Sequence, residues 1–190
     1  MIMYRGFIKS SLDKVISVFI LLLLSPVLMV ICFLIMVSSG FPILFLQNRV
    51  GKNGKEFYIF KFRTMVNDAD KIGLERTASN DPRVTSIGKF LRKSSLDEIP
   101  QLINVIKGDM SLIGFRPGIK KHYKEHDLNS EIFSVKPGIT GLAQVSGRSN
   151  LTAEKKRQLE LKYANNISFF LDVKILMLTL VKVIMRSSTN

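Results

Sequence analysis

Residues 15–37 read VISVFILLLLSPVLMVICFLIMV, an apolar run interrupted only by Ser17, Ser25 and Pro26. A straight helix of that length reaches about 35 Å at roughly 1.5 Å per residue, enough to cross a hydrocarbon core of about 30 Å. Pro26 stands mid-run, where it removes a backbone donor and crowds the preceding turn. Membrane helices tolerate such kinks, so the proline alone does not decide the topology. The flanks carry more weight: Arg5, Lys9 and Lys14 precede the run, and Arg49, Lys52, Lys55, Lys61 and Arg63 follow it. The positive-inside preference draws both ends to the cytoplasm, which a spanning helix cannot satisfy. A re-entrant helix turning at Ser25-Pro26 can, each half descending about 15–17 Å. The Ser25 hydroxyl is placed to donate to a carbonyl freed at the break. Both topologies stand on these residues, with the flanks on the side of re-entry. A cleaved signal peptide fits less well, because no small-x-small site follows and the chain stays basic.

Around this run, the 190 residues carry 28 Lys and Arg against 15 Asp and Glu, a formal charge of +13, yet 46% are hydrophobic. That apolar content excludes a disordered polybasic tail. A single cysteine, Cys32, excludes an internal disulfide framework and a cysteine-rich metal site. Positive and apolar at once, the chain suits an anionic membrane surface better than nucleic acid. No helix-turn-helix, zinc finger or RNA-binding aromatic pattern is present, so no nucleic-acid partner is expected.

Beyond Gly40-Phe41-Pro42 the pattern becomes that of a water-facing domain. The turn signal at 51–54 between apolar segments 43–47 and 57–62 predicts a β-hairpin. Residues 66–80 are polar and read as loop or irregular helix. Helices are expected over 84–92, 96–107 (ended by Gly108) and 153–163. The last element, 167–186, is apolar with a polar stripe of Ser168, Asp172, Thr179, Lys182 and Arg186, Lys174 lying off it. Such a helix lies on a membrane surface, packs between bilayer and domain, or is buried in a core. In each case the Asp172 carboxylate needs a partner.

Two adjacent carboxylates, Asp97 and Glu98, fall at an expected helix start. Ser95-x-x-Glu98 has the form of a capping box, which is a structural reading. The functional reading keeps Asp97 ionised beside Lys89, Arg92 and Lys93, as a nucleophile or a Mg²⁺ ligand. The two readings are compatible. Arg116 and Arg148 stand on Gly/Pro-rich loops that suit bidentate phosphate binding, although single loop arginines are more often structural. Lys61 and Arg63 alternate with aromatic residues in the second expected strand, a pattern equally found on a solvated strand face. His122 and His126 have zinc spacing but no third ligand and no HExxH pattern, so no zinc site is assigned. P-loop and dinucleotide-binding glycine patterns are missing.

The order of these segments resembles a known family. Gln47-x-Arg49-x-Gly51-x-x-Gly54, Phe60-Lys61-Phe62-Arg63-Thr64-Met65 and Asp81-Pro82-Arg83-Val84-Thr85 come first. Then follow Leu96-Asp97-Glu98-Ile99-Pro100-Gln101-Leu102, Gly114-Phe115-Arg116-Pro117 and Pro137-Gly138-Ile139-Thr140-Gly141. Together, from about residue 9 to 186, they are similar to the bacterial sugar transferases that are monotopic phosphoglycosyl transferases, in their short form.

The resemblance implies transfer of a phospho-sugar from a UDP-sugar to polyprenyl phosphate, with release of UMP, Mg²⁺ as cofactor and a covalent phospho-sugar intermediate. It implies Asp97 as nucleophile, Glu98 as its partner in metal binding or positioning, and Arg92, Arg116 and Arg148 as phosphate-binding groups, with Lys61 and Arg63 in the same basic set. It also implies a re-entrant break at Ser25-Pro26, an ion-pair or structural role for Asp172, and a place at the cytoplasmic face of the bacterial inner membrane. The expected fold is therefore mainly α with a small β-hairpin (α+β). A re-entrant membrane helix occupies 1–40, and a compact cytoplasmic catalytic domain over 41–190 ends in an interfacial amphipathic helix. The alternatives are a catalytically inactive relative and a membrane-anchored basic binding protein. Two positions depart from the family pattern: Phe115 replaces the first proline of Pro-Arg-Pro, and Ser10 replaces the arginine of a Lys-Arg pair.

Overall fold

The computed structural model describes residues 4–69, 81–147 and 150–188. A π-helical turn over Tyr4–Ile8 leads into α1, Lys9–Ser39. The hairpin follows as β1, Leu44–Val50, and β2, Glu56–Phe62, antiparallel with Leu44 opposite Phe62 and Val50 opposite Glu56. Next come α2, Ser86–Ser94, and α3, Gln101–Lys107. A second small sheet pairs β3, Ser111–Ile113, in parallel with β4, Gly138–Thr140, with α4, Glu125–Leu128, between them in the chain. The chain closes with α5, Leu142–Ser146, α6, Ala153–Asn165, and α7, Phe169–Ser188. The fold is mainly helical with a small antiparallel hairpin, as the sequence led one to expect.

The sequence reading anticipated two half-helices, whereas α1 continues through Pro26 as one helix. Pro26 cannot donate to the carbonyl four residues back, that of Leu22, and the Ser25 hydroxyl donates to that oxygen instead, at 2.8 Å. Along α1 the buried or half-buried residues include 9, 13, 17, 20, 21, 24, 28, 31, 32 and 35, a stripe at three- and four-residue spacing, with 10, 11 and 39 half-buried at the two ends. Near its start Ile20 and Leu21 join the main core; near its end Ile31 and Ile35 pack with Phe62 and Leu91. Both ends of α1 thus rest on the same domain. The rest of its circumference is exposed and apolar, including Phe19, Leu22, Leu23, Met29 and Val37.

The start of α1 is held by a buried polar network centred on Asp172 of α7. Its Oδ2 accepts from Lys9 Nζ and Tyr4 Oη, each at 2.7 Å, and its Oδ1 accepts from Tyr163 Oη at 2.7 Å. Lys9 also lies 3.6 Å from Asp13, whose Oδ2 accepts from Ser111 Oγ at 2.5 Å. Burial and the adjacent Asp172 charge push the Tyr163 phenol far above its ordinary value, so it serves as a fixed donor. The polar stripe of α7 therefore turns inward: Asp172 enters this network and Thr179 Oγ1 meets Thr140 Oγ1 at 2.8 Å. The opposite face, with Phe170, Met177, Leu180 and Ile184, is exposed.

One side chain ties α3 to the hairpin. Asn104 is fully buried; its Oδ1 accepts from Phe60 N at 3.0 Å and its Nδ2 donates to the Tyr58 carbonyl at 2.7 Å. It completes the edge of β2 as a neighbouring strand does. Asn104→Leu leaves that N–H and C=O buried without partners, a loss of about 3 kcal/mol. The expected result is a melting temperature lower by about 6–12 °C in detergent. A shift under about 1 °C contradicts this bridging role.

Candidate active site

The two carboxylates do not begin a regular helix. α2 ends at Ser94, Ser95 adopts a left-handed conformation (φ 60°, ψ 16°), and Leu96–Glu98 form one 3-10 turn before Pro100 and α3. The anticipated helix over 96–107 is thus divided, because Pro100 supplies no donor for a continuous ladder. The capping box does not form either: Ser95 makes no side-chain cap, and the Glu98 carboxylate is drawn elsewhere. Within this turn the two carboxylates stay close enough for the Glu98 charge to act on Asp97.

Glu98 is clamped. Its Oε1 accepts from Lys61 Nζ at 2.8 Å and from Arg116 Nη2 at 2.9 Å. Burial opposes its ionisation, yet Arg116 and Lys61, by charge and hydrogen bonding, bring its pKa down to about 2. Because that folded value lies below the ordinary carboxylate value, this clamp stabilises the fold fully above about pH 4.5 and loses its contribution as pH falls through about 2. Asp97 differs. It is half-buried, makes no ion pair among the described residues, and its carboxyl is raised by burial and by the Glu98 charge against the pull of Lys61 and Arg92. Two carboxylates adjacent in the chain are set to different tasks by their surroundings.

Each partner is positioned by its own element. Lys61 stands one residue from the end of β2, which Asn104 fixes from behind. Arg92, in the last turn of α2, donates through Nε to Thr64 Oγ1 at 2.8 Å, and burial lowers its pKa. α2 approaches Thr64 closely because Gly88 lies there: a Cβ at that position would sit 2.0 Å from the Thr64 oxygen. Arg116 is held by its loop. Val50 N donates to the Gly118 carbonyl at 2.9 Å and Arg49 Nη1 to the Pro117 carbonyl at 3.1 Å, while the Arg49 Nη2 group bonds Gln47. Phe115, the departure from Pro-Arg-Pro, is buried; its ring meets Phe133 edge-to-face at 5.0 Å, and its carbonyl accepts from Gly138 N at 2.8 Å. Ring packing and a backbone bridge to β4 hold the loop where a proline would restrict it.

The structure therefore brings Lys61, Arg92, Asp97, Glu98 and Arg116 together. Arg63 lies elsewhere: its guanidinium donates to the Ser39 and Gly40 carbonyls at the end of α1 and to Asn67. Arg148 lies outside the described residues, as does 70–80 of the expected polar loop. His122 ends one 3-10 turn and His126 belongs to α4, so the two are not on one helix. Sequence reading missed Asn104, Thr64 and Arg49 as supports of the site; Arg49 and Thr64 stand within the motifs that carry the resemblance, and Asn104 is a polar residue inside an otherwise apolar segment.

Comparison with known proteins follows the same outline. The family model described as bacterial sugar transferase matches residues 4–186. A Bacillus subtilis (strain 168) protein named uncharacterized sugar transferase EpsL is 40% identical over 93% of this chain and 87% of its own length. Galactosyl transferase CpsE of Streptococcus agalactiae serotype III (strain NEM316) is 46% identical over 75% of this chain and 35% of that protein. The UDP-glucose:undecaprenyl-phosphate glucose-1-phosphate transferase of Escherichia coli (strain K12) is 42% identical over 92% of this chain and 40% of that protein. The chain thus spans well under half the length of two of these relatives. Matched from the turn before α1 almost to the end of α7, and over most of the length of one relative, it belongs to the bacterial sugar transferase family.

Proposed function

We propose that this chain transfers a phospho-sugar from a UDP-sugar to polyprenyl phosphate, through a covalent intermediate on Asp97. The observation that carries the reading is the division of labour at the 3-10 turn: Glu98 tied down by two cations, Asp97 beside it with no ion pair among the described residues. In the first step an Asp97 oxygen attacks the sugar-bearing phosphorus, and the bond to the UMP oxygen breaks with the electron pair leaving on UMP. In the second step a phosphate oxygen of the polyprenyl carrier attacks the same phosphorus and Asp97 departs as a carboxylate. Arg92 and Arg116 are placed to hold the diphosphate oxygens, and Lys61 keeps Glu98 in place. The relatives' printed names, with their undecaprenyl-phosphate acceptor and UDP-glucose donor, support this reading.

Magnesium belongs to the same proposal. Among the described residues no group of three or more His, Cys, Asp or Glu is found, which suits an ion held by one or two carboxylates together with substrate phosphates. Asp97 and the Glu98 Oε2, which takes no hydrogen bond among the described residues, would hold it. When bound it supplies neutralisation of the diphosphate charge.

The helix over Tyr4–Ser39 is long and apolar enough to cross a membrane by length and composition. Its domain contacts support a helix that enters the bilayer without crossing it, because both halves rest on the domain while the outward face meets lipid, although the helix runs unbroken through Ser25-Pro26. In this reading the site lies at the cytoplasmic headgroup layer, where a carrier phosphate is presented. The test is UMP release from a panel of UDP-sugars by nanodisc-held protein. The expected result is release with at least one donor, dependent on polyprenyl phosphate for turnover and abolished by EDTA. No release across the panel by folded protein contradicts the proposal.

A further inference from the structure

On another part of the molecule, the start of α1, β3, α6, the 52–54 turn and the 131–134 turn enclose a cavity of about 170 Å³. It shares no lining residue with the carboxylate site. Arg5, Lys9, Lys52 and Lys136 line it, against the single carboxylate of Asp13. That carboxylate is already engaged by Ser111 and lies 3.6 Å from Lys9, and Lys9 itself is committed to Asp172. Among the described residues Arg5 reaches a hydroxyl, Ser134 Oγ at 2.9 Å, and Lys136 reaches Ser10 Oγ at 3.3 Å. Lys52 makes no ion pair among the described residues. Among the described residues the cavity therefore sets four cations against one carboxylate, a surplus of positive charge beside hydroxyl groups. Burial above all, then the charges of Lys14 and Lys52, lowers the Lys136 ammonium below its ordinary value against the opposing pull of Asp13 and Asp109.

Its surroundings indicate the occupant. Next to the lining residues in the chain, the π-helical turn leaves Phe7 and Ile8 exposed and α1 leaves Leu12 and Val15 exposed, Phe7 with 81% of its surface. We infer that this cavity binds the phosphodiester headgroup of an anionic bilayer phospholipid, whose acyl chains lie along the exposed face of α1. The volume admits a phosphate group and not the chains, and basic pockets at the cytoplasmic side of membrane helices favour anionic headgroups. The inference rests on the membrane-embedded reading of α1 and on no step of sugar transfer.

The test is native mass spectrometry of the full chain released from detergent after incubation with dioleoyl-phosphatidylglycerol. Dioleoyl-phosphatidylcholine serves as the neutral probe and inorganic phosphate as the soluble one. The unmodified protein is expected to retain one phosphatidylglycerol in preference to phosphatidylcholine. Lys52→Gln/Lys136→Gln weakens retention roughly tenfold or more. Lys52→Gln alone, at an exposed side chain, gives a smaller loss in the same direction. Lys55→Gln/Lys155→Gln removes the same charge from exposed positions elsewhere and leaves retention unchanged. Equal retention of both lipids overturns the inference. So does equal loss in the two double variants, which means diffuse charge, or binding of inorganic phosphate without lipid, which means a soluble-anion site. Because no sugar transfer is read, failed retention leaves the transferase proposal intact, and absent UMP release leaves this site intact.

Discussion

Asp97→Asn is expected to lower sugar-phosphate transfer by about a thousandfold or more while the protein still folds and associates with membrane. An amide of the same shape keeps the packing of the 3-10 turn and removes the attacking oxyanion. Because Asp97 makes no ion pair among the described residues, the substitution frees no buried cation, and the melting temperature should change little. Asp97→Glu keeps the charge and moves it by one methylene, and misplacement on that scale costs about a hundredfold. Glu98→Gln behaves differently. It takes the charge from a carboxylate that two cations share, so both stability and activity fall. Transfer assays on detergent-held variants, each paired with a thermal melt, separate the two roles. Asp97→Asn with substantial activity contradicts the assignment.

The second large effect is structural. Asp172→Ala removes the acceptor of three donors at once, Lys9, Tyr4 and Tyr163, and leaves a buried ammonium 3.6 Å from its remaining partner, Asp13. Breaking a buried pair from one side costs about 3–5 kcal/mol. The loss should appear as a lower melting temperature and as earlier proteolysis of the α1–α7 junction. Lys9→Met/Asp172→Leu, which replaces the pair with apolar bulk, should recover much of that stability. Equal destabilisation of the single and double variants means that packing around Asp172, not its charge, holds the junction.

The parts of this fold that were legible in the sequence are those carried by local chemistry. The hairpin was marked by its 51–54 turn and α6 by its charged run over 153–163; the structure adds the Thr152 cap, whose hydroxyl accepts from Lys155 N at 3.2 Å. The polar stripe of α7 was visible from residue spacing, and so was the need of Asp172 for a partner; that the stripe turns inward at Asp172 and Thr179 came from the structure. The parallel pairing of β3 with β4 was not legible. Each strand has three residues, too few to set up an alternation, and the partners are 27 positions apart. The division of residues 96–107 into a 3-10 turn and a helix was missed because Ser95 and Glu98 satisfy a capping pattern on paper. In the fold the stronger attraction of Lys61 and Arg116 claims Glu98.

The same limit applies to the site. Asp97, Glu98, Lys61, Arg92 and Arg116 could be singled out by residue type and by resemblance. That Lys61 and Arg116 meet on one oxygen of Glu98 is a tertiary fact, built by Asn104 under β2 and by Arg49 beneath the 116–118 loop. Arg63 shows the converse. Its alternation with Phe60 and Phe62 suggested a substrate-facing cation, and the structure uses it to hold the carbonyl end of α1.

The central claim concerns one bond, between Asp97 and a phospho-sugar. Incubating the protein with its UDP-sugar and Mg²⁺, without polyprenyl phosphate, should release UMP in a burst no larger than the amount of enzyme. The peptide containing Asp97 should then carry the mass of one phospho-sugar, and added polyprenyl phosphate should remove it. If UMP appears only when the lipid acceptor is present, and that peptide never gains mass, transfer is direct and the covalent role given to Asp97 is wrong.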